Sequence, residues 1–292
     1  IESSATGAIT TISDCTLDCD TFFGIVLNIF GNNPYIYRNI ISGIGFLITI
    51  HDWSIDTLGA QFIKNHVTGS SVSNVFHVRN AFKCISNFIN CGNANLFYVE
   101  DPSEIYFYGN TVVCGQLFES ITTSDVISID LKNDIFIRET SASNYLLNYA
   151  TALNYDLQSI ENCYLDVDYC TIPTLSCGSG IQTVIDPLFV DPSNGDFRLQ
   201  PCSPLRDAGS NNAVPADLLT DLDGRPRILG GTVDMGAYEI PDFAPAADPI
   251  ATGTCFGTSN GAVTFETEGG CEPFVYLWQP GGQNTQEAEN LT

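Results

Sequence analysis

The sequence predicts an all-β chain built around a right-handed parallel β-helix, a solenoid of stacked coils. Three observations carry this expectation. First, Asn recurs at Asn39, Asn65, Asn87, Asn110, Asn133 and Asn162, at spacings of 22 to 29 residues. Each Asn closes a short strand-like run, such as Tyr35-Ile36-Tyr37-Arg38 or Tyr106-Phe107-Tyr108-Gly109. A recurrence in this range marks a solenoid, in which each repeat buries its apolar face only against its neighbours. Second, most periods hold another β-branched or aromatic run: 45–50, 74–78, 95–99, 116–119 and 144–147. These runs are short and bounded by Gly, Asn, Ser or Asp, as strands are. Third, no sustained helical period lies between them, which argues against leucine-rich, ankyrin and tetratricopeptide arrays.

The coils are expected over residues 1–185. Like residues of successive coils then stack about 4.8 Å apart. Stacked Asn side chains can hydrogen-bond to one another and to backbone, each bond contributing roughly 1 kcal/mol net. The six asparagines therefore read as a structural ladder, and Asp14 fits the same rung in an earlier coil.

Composition narrows the partners. The 292 residues include 34 acidic and 10 basic side chains, for a formal charge of −24. Such a field repels nucleic-acid phosphates and anionic lipids, so no nucleic acid is expected as a partner. No apolar stretch reaches membrane-spanning length, and direct membrane insertion is not expected. The chain opens on strand-like sequence without an initiator Met, and reads as a piece of a longer precursor. Eleven cysteines in an Asn/Ser/Thr/Gly-rich acidic chain point to an oxidising compartment, with disulfides or buried free thiols. Cys163, Cys170 and Cys177 lack the close pairs of a zinc site.

From about residue 180 the texture changes. Pro, Asp and Gly become dense in Asp186-Pro187-Leu188-Phe189, Ser203-Pro204, Asp207-Ala208-Gly209, Asp221-Leu222-Asp223-Gly224-Arg225-Pro226-Arg227 and Val233-Asp234-Met235-Gly236-Ala237-Tyr238-Glu239. These ordered blocks resemble the C-terminal segment of secreted bacterial parallel β-helix proteins of the choice-of-anchor or polymorphic-outer-membrane-like kind. Leu205-Arg206 departs from that pattern, which usually has an apolar pair there. Physically, residues 186–240 read as a C-terminal cap. An open solenoid end exposes unpaired backbone, and Leu188, Phe189, Phe197, Leu199, Ile228 and Tyr238 could cover it. Asp221 and Asp223 offer hard oxygens for calcium, the one cofactor the sequence suggests, although Arg225 and Arg227 stand close enough to satisfy them instead.

Residues 241–249 are Pro-spaced and Ala-rich and read as a semi-rigid linker. Residues 250–292 carry Cys255, Gly257, Asn260-Gly261, Gly269-Gly270, Pro273, Tyr276 and Trp278. This pattern resembles one SprB-type repeat, a small Ig-like β-sandwich module found in tandem in large surface adhesins of gliding Bacteroidetes. The resemblance implies an incomplete repeat here, lacking a last strand past Leu291, in a chain that continues. Within the module Cys271 could bridge to Cys255.

Parallel β-helices also host polysaccharide-cleaving enzymes, which need converging carboxylates, often with a basic partner. The best pair is Asp166 and Asp168, on one face of a strand, with Asp18 and Asp20 repeating the spacing. Neither pair has an evident basic or His partner. His51 and His77, 26 residues apart, fit neighbouring rungs as a stacked pair. Tyr98, Tyr106, Tyr108 and Tyr145 could form a stripe that stacks on sugar rings, although core packing is the simpler fate of most. The two resemblances together imply an exported, extracellular or cell-surface protein of bacteria, secreted by a type IX-like route. Its expected role is adhesion or an extracellular structure, with a polysaccharide or cell-surface ligand as partner. A β-helix lyase or glycoside hydrolase is the alternative. A self-assembling filament, with other copies of the chain as partners, is the third reading.

Overall fold

Each coil folds into three short strands, because each period carries three apolar runs separated by turn residues. The computed structural model describes residues 2–4, 11–19, 26–31, 33–44, 47–52, 59–70, 74–79, 81–100, 104–118, 127–139, 155–166, 178–183, 185–241, 250–252, 261–265, 274–279 and 281–291. Three parallel sheets run along the resulting β-solenoid. The first stacks Glu2–Ser4, Val26–Gly31, Leu47–Asp52, Asn74–Arg79, Asn95–Glu100 and Gln116–Phe118. The second stacks Thr11–Ser13, Tyr35–Tyr37, Ala60–Ile63, Phe82–Ile85, Glu104–Tyr108, Ile127–Lys132 and Tyr155–Glu161. The third stacks Thr16–Cys19, Ile40–Ile44, His66–Ser70, Phe88–Asn90, Thr111–Cys114, Ile135–Arg138, Tyr164–Leu165 and Gln182–Thr183. The sequence pattern marks most strands of the first two sets, but not Glu2–Ser4, Thr11–Ser13 or Val26–Gly31. It marks the third only by an apolar residue after each Asn.

Alternation fills the interior. Ile36, Phe62, Cys84, Phe107, Leu131 and Ile160 share one inward column of the second sheet, and all are buried. Ile41, Val67, Ile89, Val112, Phe136 and Leu165 form the matching column of the third. Burying each such side chain contributes roughly 1.5–3 kcal/mol. Cys15, Cys84, Cys91, Cys114 and Cys163 are free thiols, and all but Cys15 are buried.

The corner between the second and third sheets always takes two residues. The first has left-handed backbone, with φ of 55° at Asp14, 53° at Arg38 and Lys64, 54° at Ser86, 66° at Gly109, 59° at Asn133 and 51° at Asn162. The second turns inward and forms the ladder. It is Cys15, Asn39, Asn65, Asn87, Asn110, Asp134 and Cys163 in successive coils. Asn39, Asn65, Asn87 and Asn110 are therefore rungs, as the spacing predicts. Asn133, Asn162 and Asp14 are not: each occupies the left-handed corner one residue earlier. The error has a physical cause. Asn and Asp tolerate left-handed backbone better than other L-residues, so the same residue types suit both adjacent positions.

The true rungs are wired in one direction. Asn39, Asn65 and Asn87 each send their backbone N–H and their Nδ2 to the Oδ1 of the next rung, at 2.7–3.1 Å. Asn110 sends the same two donors to Asp134 Oδ1, at 2.7 and 2.8 Å. Asp134 Oδ2 accepts from the Lys132 N–H at 3.0 Å. The row of amides thus ends on the Asp134 carboxyl, whose two oxygens accept from three N–H donors.

Residues 185–241 run along the flank of the coils, which corrects the expectation of an end cap. Phe197 and Tyr238 pack on Phe88 of the third sheet. Leu199, Leu205 and Met235 cover Ile135 and Tyr164. Val214 and Leu218 cover Ile63 and Ile85 of the second sheet. The misplaced asparagines explain the docking. Asn133 Nδ2 donates to the Ser210 carbonyl at 2.9 Å, and its Oδ1 accepts from the Ser210 N–H at 2.7 Å. Asn162 Nδ2 donates to the Ala208 carbonyl at 3.2 Å. At the Gly109 corner a Cβ would lie 2.5 Å from Arg227 Nη2, so only Gly lets the segment approach there.

The segment has little regular structure and is held by buried charge. Arg227 pairs with Glu239 at 2.8 Å, with both side chains almost fully buried. Glu239 Oε1 also accepts from the Asp234 N–H, and Asp234 accepts from the N–H groups of Asp207 and Ile240. Farther along, Ile250–Thr252, Gly261–Thr264 and Glu287–Leu291 form a three-stranded antiparallel sheet. Trp278 anchors a turn there, its indole N–H donating to the Thr285 carbonyl at 2.8 Å.

Candidate functional site

Two rows of side chains rise along the outer face of the second sheet, one coil per step. One row is Thr11, Tyr35, Gln61, Lys83, Tyr106 and Asp130. The other is Ser13, Tyr37, Ile63, Ile85, Tyr108 and Lys132. The strand pleat sends alternate residues outward, so parallel in-register pairing is enough to align both rows. Ile63 and Ile85 are buried under Val214 and Leu218, and this turns residues 212–218 into a wall. Between wall and sheet lies a groove of about 650 Å³. Gln61, Lys83, Tyr106, Tyr108 and Lys132 line one side, and Asn212, Pro215 and Asp217 the other. A smaller pocket beside it adds Tyr35, Tyr37 and Lys64.

Aromatic rings come in pairs here. The Tyr106 and Tyr108 ring centroids are 6.3 Å apart at 16°, and those of Tyr35 and Tyr37 5.7 Å apart at 26°. The Arg38 guanidinium sits 4.8 Å over Tyr37, and Lys83 Nζ lies 6.0 Å from the Tyr106 centroid. Tyr108 Oη donates to Asp130 Oδ2 at 3.1 Å, and Lys132 Nζ is 3.2 Å from the same oxygen. Tyr106 Oη donates to Glu104 Oε2 at 2.8 Å. Burial, with the acceptor Glu104 beside it, pushes the Tyr106 phenol up to about 12. Burial and the Asp130 charge hold the Tyr108 phenol well above its ordinary value. Both rings therefore stay neutral near pH 7 and present a hydroxyl and a flat apolar face. Burial lowers the Lys64 ammonium, whose Nζ donates to Thr220 Oγ1.

The other residues singled out from sequence fall elsewhere. Asp166 is half-buried and its Oδ2 accepts from the Arg138 N–H at 2.8 Å, while burial raises its pKa. Asp168 and Asp20 lie outside the described residues, as do Tyr145, Cys255 and Cys271. Asp18 accepts from Ser42 Oγ at 2.7 Å on the exposed face of the third sheet. Asp221 Oδ1 accepts from the Arg225 N–H and its Oδ2 from the Glu239 N–H, so backbone donors engage both oxygens. Asp223 pairs with Arg225 at 3.1 Å, while Arg227 turns inward to Glu239. Among the described residues, no His, Cys, Asp or Glu cluster is arranged to hold a metal ion. His77 aligns with Thr49, and His51 with Arg79, so the two histidines do not share a rung. His77 instead meets Tyr98 edge-on at 5.0 Å.

Tyr106 and Tyr108 were legible in sequence as part of an aromatic stripe. Gln61, Lys83, Lys132 and the 212–218 wall were not, because only coil register and flank packing bring them together. No protein-family model, curated protein or solved structure matches this chain. No described helix is long and apolar enough to cross a membrane.

Proposed function

We propose that this chain is a non-catalytic glycan-binding protein of the bacterial cell surface, acting as an adhesin or as part of an extracellular structure. The observation that carries this reading is the groove on the second sheet, where paired tyrosine faces stand beside Gln61, Lys83, Lys132 and Asn212. Flat rings with polar tips suit sugar rings, which have an apolar face and a hydroxyl rim. A parallel solenoid repeats such a surface at about 4.8 Å per coil and keeps it rigid.

In this reading residues 186–240 act as a brace along the coils. Residues 250–292 act as an Ig-like spacer of the adhesin-repeat kind, exported by a type IX-like route. A second reading, a β-helix polysaccharide-cleaving enzyme, draws on the meeting of Tyr108, Asp130 and Lys132. The raised Tyr108 phenol weighs against a tyrosine base, and Asp166 is tied to backbone.

The test is a polysaccharide array with the intact chain, followed by assays for new reducing ends and unsaturated products. Binding without products, lost in Tyr106→Ala, is the expected result. Turnover that disappears in Asp130→Asn would establish the enzyme instead. An array that stays blank while the chain self-associates would favour a filament subunit.

A further inference from the structure

The three lysines of the chain are Lys64, Lys83 and Lys132. All three stand on the outer face of the second sheet or on its corner, Lys83 and Lys132 in the groove and Lys64 in the smaller pocket beside it. In a chain of net charge −24 this placement needs a reason. Two of the three have intramolecular partners: Lys132 is paired with Asp130, and Lys64 donates to Thr220. Lys83 has no carboxylate partner among the described residues. Its ammonium leans over the Tyr106 ring, half-buried at the groove wall. The charges facing it are Asp217 across the groove, Lys132 on the same wall and Asp130 two coils along its own row.

We propose that the groove takes an acidic glycan, a polysaccharide bearing carboxylates, with Lys83 as the residue that reads the charge. The inference rests on the glycan reading above and adds the substrate class. The chain would lie along the solenoid axis, across the strands. Tyr35 and Tyr106 stand three coils apart in the same row, about 14 Å, with Gln61 and Lys83 on the two coils between. A sugar ring on each tyrosine leaves an intervening unit over Gln61 and Lys83, where an amide meets hydroxyls and an ammonium meets a carboxylate. An acidic peptide would use the lysine but not the tyrosine ring faces. A neutral glycan would use the rings and leave Lys83 without a counter-charge.

The experiment titrates the intact chain with polygalacturonate oligomers, with the same oligomers after carboxyl reduction, and with polyglutamate. The expected result is at least about a tenfold preference for the charged oligomers, the size of one charge-assisted hydrogen bond. The preference collapses in Lys83→Gln and returns in Lys83→Arg. Equal binding of charged and reduced oligomers, or a Lys83→Gln variant that keeps the preference, overturns the acidic-glycan inference and leaves the glycan reading intact. Polyglutamate binding as tightly as the oligomers also overturns it, since the groove would then read charge alone. If neither oligomer binds, both readings fall.

Discussion

The coils and the segment that lies along them solve one problem in opposite ways. In the coils, backbone N–H and C=O groups are satisfied by the strands above and below, and side chains fill the space between. Among the described residues, the buried amides Asn39, Asn65, Asn87 and Asn110 sit at the corner, in a self-satisfying row. In residues 185–241 there is almost no strand pairing. Backbone N–H groups are satisfied instead by buried carboxylates, those of Asp221, Asp234 and Glu239, with Arg227 as the internal cation. Repetition distributes the stabilisation of a solenoid over many equivalent contacts. The flank segment concentrates it in a few irreplaceable ones, because a buried charge that loses its partner is left in a low-dielectric site.

That contrast can be broken most severely at Arg227. Arg227→Ala strips the counter-charge from Glu239 and the donors from the Asp234 and Gly236 carbonyls. The expected loss is about 3–5 kcal/mol in chemical denaturation, with the flank segment opening to protease before the coils do. A single cooperative transition with unchanged midpoint would show that the segment is not held this way.

A smaller effect is expected at the ladder. Asn65→Ala removes the acceptor of two Asn39 donors and leaves the buried Asn39 N–H without it, at a cost of about 3 kcal/mol. Asn133→Gly, which keeps the left-handed corner unstrained, loses only its bonds to Ser210, roughly 1–2 kcal/mol. Near-equal losses would mean that the two positions are not distinct in energy, whatever their geometry. The ranking is measured by the same denaturation midpoints.

The last expected effect is one of pH and concerns Asp134, where the ladder meets the flank. Burial raises this carboxyl to about 8, while the Asn110 and Lys132 donors and Arg227 pull it the other way. A carboxyl whose folded pKa lies above its unfolded value of 3.8 holds its proton more tightly when folded. Its contribution to stability is complete below the unfolded value and is lost as pH rises through the folded one. The denaturation midpoint should therefore decline as pH rises from about 4 to about 8 and level off above that. Asp134→Asn should flatten this slope. A midpoint independent of pH over that range would place Asp134 as a full carboxylate held by its three N–H donors.

Much of the coil region was legible because its period is a local property. The rungs Asn39 to Asn110 and most runs of the first two sheets could be read directly. The last rungs could not, because the left-handed corner and the inward position are neighbours that accept the same residue types. Asn133 beside Asp134 cannot be resolved by spacing alone. The flank segment was recognised as a break in texture, yet its position was misjudged. Nothing in Asp207-Ala208-Gly209 says that it will meet Asn162 rather than the open end of the coils.

By itself, then, the sequence determined the class of fold, the repeat, and the row of buried amides, since these follow from patterns within one or two coils. Tertiary structure decided which side of each corner an Asn occupies, where residues 185–241 dock, and that Lys83, Tyr106 and the 212–218 wall enclose one groove. The physical reason is range. Periodicity is written every twenty-odd residues, whereas the groove joins residues more than a hundred apart through coil register and buried charge.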